Sequence, residues 1–70
     1  MDALSKKVGE NLKAARKAKG LTQAELATRL NKYQPDYCEY ETGRIELDYH
    51  KIVTLCEILD ITPNELFGFD

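Results

Sequence analysis

The stretch Leu21–Glu41, with the sequence LTQAELATRLNKYQPDYCEYE, decides the fold. Its pattern predicts a helix over about residues 23–30, a turn at residues 31–33, and a second helix over about residues 34–41. Pro35 falls in the first turn of the second helix, where its missing backbone N–H costs little. Two short helices that cross at a steep angle can expose the second one at the surface. The major groove of B-DNA admits one such helix.

The start of helix 23–30 carries a complete set of capping signals. Thr22 is a favourable N-cap residue, and Glu25, three positions later, completes a capping box. Leu21 and Leu26 flank the cap and can form a hydrophobic staple. Together these residues predict where the helix begins.

Three more helices flank this pair, and no strand is predicted. The first helix spans about Asp2 to Lys19, with Asp2 as its cap and Gly20 as a left-handed stop. Gly9 inside this helix costs up to ~1 kcal/mol against alanine, and we attribute it to close packing of another helix. The apolar residues of the helix recur on a 3.6-residue period and predict one buried stripe, formed by Leu4, Val8, Leu12 and Ala15.

The C-terminal third of the chain predicts two further helices. One runs over about residues 49–59, after Asp48 as its N-cap. The stretch Ile61–Leu66 repeats the capping pattern seen at residue 22, with Pro63 at the first helical position, and a short fifth helix ends near Phe67. Helices two to four are expected to bury Leu26, Ala27, Leu30, Tyr37, Tyr40, Ile52, Leu55, Ile58 and Leu59.

Length and composition limit the class of protein. Seventy residues, of which 43% are hydrophobic and 31% charged, predict one globular all-α domain over residues 1–70. No apolar run approaches the ~20 residues of a membrane span. The N-terminal sequence MDALSKKVGE lacks the apolar stretch of a signal peptide. We therefore expect a cytoplasmic protein.

The net charge of −2 is unevenly distributed along the chain. Residues 1–32 contain eight Lys or Arg and three Asp or Glu, a net charge of +5, whereas residues 33–70 contain two and nine, a net charge of −7. An acidic protein can bind DNA if its basic groups cluster on one face. Here most basic groups lie in the first predicted helix, so the clustering of positive charge on one face is only weakly indicated.

No pattern in the sequence indicates an enzyme, a metal or a cofactor. Cys38 and Cys56 form no CxxC pair, and the lone His50 makes no zinc-binding set with them. We expect two reduced, half-buried thiols; the alternatives are a disulfide, a metal role, or redox sensing by Cys38. The sequence contains no recognisable nucleophile–base pair, paired carboxylates or glycine-rich phosphate loop.

The chain resembles the Xre-type helix-turn-helix domain of the phage Cro and CI repressors and of many small bacterial regulators. The resemblance rests on LKAARKAKG at residues 12–20, LTQAELA at residues 21–27, the spacing of Tyr37, Tyr40, Glu41 and Gly43, and LDITPNELF at residues 59–67. It covers about residues 5–67. It implies a five-helix, lambda-repressor-like DNA-binding domain whose helix-turn-helix unit, formed by helices two and three, spans about residues 22–41.

The resemblance also implies roles for individual residues. Gln23 matches a position that contacts a phosphate at a helix N-terminus, although it can also be only a solvent-facing residue. Arg16 and Glu41 match an ion pair that ties the first helix to the third; the alternative is two separately solvated charges. The residues implied at the DNA interface are Gln23, Lys32, Tyr33, Gln34, Pro35, Asp36, Cys38, Glu39 and Arg44.

The geometry of helix 34–41 agrees with this placement. With Tyr37 and Tyr40 facing the core, the residues at positions 34, 35, 38 and 39 are expected to point largely outward. Gln34 can pair with adenine, and Glu39 can accept a hydrogen bond from cytosine.

Four features of this region depart from the family pattern. The helix is acidic, since no Lys or Arg lies between Lys32 and Arg44, and each carboxylate repels phosphates. Tyr33 stands where the family prefers a Ser or Thr cap, so we expect a weakly capped helix; the Tyr33 ring can instead lie along the sugar–phosphate backbone. Lys32 replaces an apolar residue, and it can lay its stem over the core with its ammonium near a phosphate. Pro35 replaces a polar, base-reading side chain.

Two functions fit the sequence. The first is a sequence-specific, repressor-like regulator that binds double-stranded DNA as a homodimer, on a two-fold operator with half-site centres ~34 Å apart. The alternative is a protein-binding adaptor or antitoxin-like protein that docks a basic partner on the acidic surface of residues 33–48. The candidate apolar contacts of a dimer are Ile45, Leu47, Phe67 and Phe69, although Phe69 can equally fold back onto the core.

Overall fold

The computed structural model describes residues 2–69, which form five α-helices. They are α1 (Ala3–Ala18), α2 (Gln23–Arg29), α3 (Gln34–Thr42), α4 (Tyr49–Leu59) and α5 (Pro63–Phe67). Residues 2–69 contain no strand, so the all-α prediction is confirmed, and every helix boundary lies within one residue of its expected position. None of these five helices has the length and apolar character that a bilayer span requires.

Side chains cap four of the five helices at their N-termini. The Asp2 carboxylate accepts a hydrogen bond from the Ser5 N–H at 2.7 Å, and Asp48 caps α4 in the same way. Thr22 and Thr62 form complete capping boxes at the starts of α2 and α5. Helix α3 is the exception, because Tyr33 makes no side-chain capping bond. The helix must therefore be held by its contacts with the rest of the domain.

The core contains residues from all five helices. Its buried apolar members are Val8, Leu12, Leu26, Ala27, Leu30, Tyr37, Tyr40, Leu55, Cys56, Leu59 and Leu66. One residue of the predicted α1 stripe is not buried, since Leu4 is 54% exposed. Leu4 lies in the first turn of α1, at the rim of an open groove that it shares with Ile45 and Tyr49, so no neighbouring helix covers it.

Helix α1 packs against α3 closely enough to require glycine at two positions. A Cβ atom on Gly9 would lie 2.7 Å from the Tyr40 carbonyl oxygen and closer still to that of Glu41. At the end of α3, Gly43 has a φ of +82° and lies against the backbone of Lys6. The attribution of Gly9 to close helix packing is confirmed, and these two contacts fix the position of α3 on the domain.

The turn between α2 and α3 is short and regular. Asn31 adopts a left-handed conformation with a φ of 57°, which asparagine tolerates better than most residues. The Lys32 N–H then bonds to the Ala27 carbonyl oxygen at 2.8 Å. This turn redirects the chain so that α3 begins at the surface.

Both cysteines are free thiols. Cys38 is half-buried, as expected, but Cys56 is buried with 8% exposure, so the expectation of a half-buried thiol is wrong there. Cys56 lies on the core side of α4, next to Leu55. Burial, and then the nearby charge of Glu65, raise the pKa of the Cys56 thiol.

Candidate nucleic-acid interface

Helix α3 divides into a buried face and an outer face. Tyr37, Tyr40 and Glu41 are buried, and the two tyrosine rings meet edge to face with their centroids 6.2 Å apart. Gln34 and Asp36, in the first turn of the helix, are exposed. The buried residues fix the helix, and the exposed turn remains free to meet a ligand.

The residues that the sequence predicts at the DNA interface differ in how exposed they are. Six are exposed, namely Lys32, Tyr33, Gln34, Pro35, Asp36 and Arg44, and three are half-buried, namely Gln23, Cys38 and Glu39. Positions 38 and 39 are therefore less exposed than expected. Gln23 of α2 covers one side of Cys38, with Nε2 3.9 Å from Sγ. At the C-terminal end of α3, the Glu39 carbonyl oxygen accepts a hydrogen bond from the Arg44 N–H at 3.0 Å.

Arg16 and Glu41 form a buried ion pair between α1 and α3. Arg16 Nε donates to Glu41 Oε2 at 2.6 Å, and Nη2 donates to Oε1 at 3.2 Å. The two side chains are only 8% and 2% exposed. Arg16 also donates to the Leu21 carbonyl oxygen at 2.7 Å, so the guanidinium joins α1, the segment before α2, and α3.

Two further donors complete the surroundings of the Glu41 carboxylate. The Tyr37 hydroxyl donates to Oε2 at 2.5 Å, and Gln23 Nε2 donates to Oε1 at 2.9 Å. Burial by itself raises the pKa of Glu41, but the hydrogen bonds from Arg16, Tyr37 and Gln23 outweigh it and lower that pKa below its ordinary value. The carboxylate is therefore ionised at neutral pH.

The same cluster also shifts the pKa values of Arg16 and Tyr37. The hydrogen bond to Glu41 raises the pKa of Arg16. Burial, followed by the hydrogen bond to Glu41, raises the pKa of Tyr37 far above its ordinary value. Tyr37 therefore stays a hydrogen-bond donor at any physiological pH, and the cluster keeps one fixed pattern of donors and acceptors.

The Gln23 side chain extends this pattern to the exposed end of α3. Its Oε1 accepts a hydrogen bond from Gln34 Nε2 at 2.9 Å. Sequence reasoning placed Gln23 and Gln34 separately at the interface and missed this link. It also missed the Tyr37 hydroxyl, which was assigned to the core only. One signal was available: a buried carboxylate requires hydrogen-bond donors around it, so donors to Glu41 could have been sought among the nearby polar side chains.

The charges near the exposed turn have both signs. Lys32 holds its ammonium 5.7 Å from the centre of the Tyr40 ring, a cation–π contact, and remains exposed. Within residues 2–69, neither Asp36 nor Glu39 forms an ion pair. Lys32 and Arg44 thus flank an outer helix face that carries two uncompensated carboxylates.

The chain is similar in sequence to a known protein family and to a known protein. A family model described as a helix-turn-helix domain matches residues 9–68. YqaE of Bacillus subtilis (strain 168), described as an uncharacterized HTH-type transcriptional regulator, is 43% identical over 57 residues, which cover 81% of this chain. The chain spans about half of that relative's length, 49%.

Two solved structures are similar over 94% of this chain. The restriction-modification controller protein C.AhdI from Aeromonas hydrophila has a TM-score of 0.85 and 35% identity, and the match covers 100% of that protein's chain. The clp gene regulator ClgR from C. glutamicum has a TM-score of 0.83 and 26% identity, with 86% of its chain covered.

Proposed function

The chain belongs to the helix-turn-helix domain family, and we propose that it is a DNA-binding transcriptional regulator that inserts α3 into the major groove. The observation that carries the proposal is the division of α3 into a buried anchoring face and an exposed first turn at Gln34–Asp36. A major groove about 12 Å wide accommodates one helix presented in this way. The regulators named above support the same function for this chain.

Basic residues beside the helix supply the contacts to the DNA backbone. Lys32 and Arg44 lie exposed at the two ends of α3. Such cations position a protein on the duplex, whereas side chains that reach base edges give specificity. In this proposal Gln34 reads a base, and Lys32 and Arg44 hold the helix in register. The proposal assigns the domain no catalytic role.

Selection of bound duplexes from a random pool tests the proposal. We expect an enriched sequence that the protein binds at least 1000-fold more tightly than random duplex, the lower limit of a typical specificity ratio. Binding to random duplex should fall by about 100-fold between 50 and 200 mM salt if about four phosphates are contacted. No enrichment, together with no duplex binding at low salt, contradicts the proposal.

The acidity of the outer face favours one alternative, an adaptor that docks a basic protein on residues 33–48. The substitution Glu39→Gln separates the two functions, with Glu57→Gln, on the exposed side of α4, as the matched control. If Glu39 reads a base, its replacement changes the selected sequence. If Glu39 only repels phosphates, affinity rises on every duplex. The adaptor is supported if neither variant gives measurable duplex binding.

We further propose that the regulator acts as a homodimer on a two-fold operator. A groove of about 210 Å³ opens between α1 and α4, and Leu4, Ile45 and Tyr49 lie on its rim. Tyr49 and Val53, one turn apart on α4, are 86% and 57% exposed. Such an exposed apolar patch is typical of a contact between copies. The domain is 28 Å long, so the α3 helices of two touching copies can be separated by about the ~34 Å between successive major grooves.

Sedimentation equilibrium tests the homodimer. We expect wild-type protein to dimerise at micromolar concentration and Val53→Lys to remain monomeric with an unchanged circular dichroism spectrum. Phe69 is 68% exposed, so it does not fold back onto the core, and Phe69→Ser tests whether it contributes. A dimer that survives both substitutions assigns the interface to another surface. As a repressor in the cytoplasm, the dimer would act by blocking polymerase.

A further inference from the structure

The open groove between α1 and α4 is large enough to receive one aromatic side chain. Its volume is about 210 Å³, and most of its lining is apolar, with Leu4 and Val8 on the α1 side and Ile52 on the α4 side. An apolar cavity of about 150 Å³ already holds benzene. A single phenol ring therefore fits the groove by size.

One charged group lies in the lining of this groove. Glu46, in the loop between α3 and α4, contributes a carboxylate, and Ser5 Oγ lies 3.5 Å from its Oε2. Within residues 2–69, Glu46 forms no ion pair. A carboxylate accepts hydrogen bonds, so the groove best fits an occupant that has an apolar body and a hydrogen-bond donor at its tip.

Tyr49 of a second copy has both of these properties. In its own chain Tyr49 lies at the rim of the groove and is 86% exposed, so its ring does not fill that groove. A tyrosine ring is apolar in its body and carries a hydroxyl donor at its tip. Val53 and Phe69 are also exposed, but their side chains have no donor to offer to Glu46.

The position of Tyr49 next to the groove suits a two-fold contact. In a two-fold dimer both copies use the same surface patch, so that patch must contain a projection and a matching recess. Because Tyr49 lies beside the groove, a two-fold axis between them brings two reciprocal insertions together. A projection on the opposite side of the domain would instead favour open chains of copies.

We propose that Tyr49 of each copy inserts into the groove of the other copy and donates its hydroxyl to Glu46 there. This inference rests on the proposed homodimer and names the contact that forms it. The interface then contains two equivalent ring insertions. Buried Tyr40 of α3 also lines the groove, so the inserted ring reaches the surroundings of a residue that anchors α3.

Mixing two variants tests the reciprocal insertion. Tyr49→Ala removes the ring and keeps the groove, whereas Ser5→Trp fills the groove and keeps the ring. Each homodimer loses both insertions, but the mixed dimer keeps one. Native mass spectrometry separates the three dimers by mass. Because truncation of a central interface tyrosine costs about 30-fold in affinity, we expect the mixed dimer to be about 30-fold tighter than either homodimer.

The matched control for Ser5→Trp is Glu10→Trp, because Glu10 is exposed on α1 and does not line the groove. It should change the dimer dissociation constant less than twofold. Circular dichroism checks that each variant is folded, and Ile45→Trp, on the loop side of the groove, replaces Ser5→Trp if that variant unfolds. A mixed dimer no tighter than the geometric mean of the two homodimers overturns the inference. A monomeric wild-type protein means that the proposed homodimer itself fails.

Tyr49→Phe tests the hydrogen bond to Glu46, because it keeps the ring and removes the donor. We expect this substitution to weaken the wild-type dimer at least tenfold, as is typical for loss of a hydrogen bond to a charged group. In a Glu46→Ala background it should weaken the dimer less than twofold. Equal losses in the two backgrounds overturn the pairing of Tyr49 with Glu46.

Discussion

Replacement of Gly9 by alanine is expected to destabilise the domain, although it improves helix propensity. Alanine in the middle of an exposed helix is favoured over glycine by ~1 kcal/mol. At Gly9 the added Cβ would lie 2.7 Å from the Tyr40 carbonyl oxygen and 2.8 Å from the Glu41 carbonyl carbon. An ordinary contact begins at 3.4 Å, so α1 and α3 must separate by several tenths of an ångström or more.

The size of the effect follows from these two opposing terms. Overpacking costs about 1–3 kcal/mol, and the upper part of that range applies because the clash is with backbone atoms that no side-chain rotation can relieve. After the gain in helix propensity, we expect a net loss of about 2 kcal/mol in the free energy of unfolding. For a domain of this size that loss lowers Tm by about 8–16 °C.

Thermal unfolding followed by far-ultraviolet circular dichroism measures the shift. Glu10→Ala is the matched control, because Glu10 is the exposed neighbour of Gly9 in α1 and its replacement should change stability by no more than about 0.5 kcal/mol. Gly20→Ala is a second comparison: Gly20 has a φ of +78° with no atom within 4 Å of an added Cβ, so it reports backbone strain without a clash. A Gly9→Ala variant that melts at or above the wild-type temperature would refute the close-packing argument.

Three further predictions concern the buried groups. Arg16→Ala should lower the free energy of unfolding in urea by about 3–5 kcal/mol, because it leaves Glu41 buried and unpaired; a loss below ~1 kcal/mol would mean that the pair behaves as an exposed one. Because the pKa of Glu41 is lowered in the fold, its contribution to stability is present above the ordinary value of 4.5 and is lost as the pH falls through the folded pKa. Tm should therefore decline in acid, and Glu41→Gln should decline less steeply; parallel curves would contradict this. In thiol labelling with a disulfide reagent, half-buried Cys38 should react first and Cys56 slowly, since burial and then Glu65 raise the pKa of Cys56; equal rates in the two single-serine variants would count against it.

The helices could be predicted from the sequence because their signals are local. The capping boxes at Thr22 and Thr62 and the left-handed stop at Gly43 each involve residues within a few positions of one another. The prediction that Leu4 is buried was wrong because burial, unlike capping, depends on distant parts of the chain. Its place in the apolar stripe is correct, but whether another helix covers it depends on where α4 and its preceding loop lie.

The interface was only partly predictable for a similar reason. Gln23 and Gln34 were expected to contact DNA, but residue spacing does not reveal the bond between them or the bond from Gln23 to Glu41, eighteen positions away. The direction of an amide cannot be obtained from spacing, because its two ends have nearly the same shape and differ only in hydrogen bonding. The half-burial of Cys38 likewise depends on a neighbour outside α3, the Gln23 side chain.

The separation of anchoring and outward residues on α3 has an evolutionary consequence. Tyr37, Tyr40 and Glu41 secure the helix, so replacements at Pro35 or Asp36 should leave folding almost untouched. In the proposed DNA-binding mode, the same replacements would alter which duplex sequence is bound. A duplicated gene can therefore diverge toward a new target by single substitutions in one solvent-facing turn. Gln34 is less free to drift, since its bond to Gln23 couples its orientation to the interior of the domain.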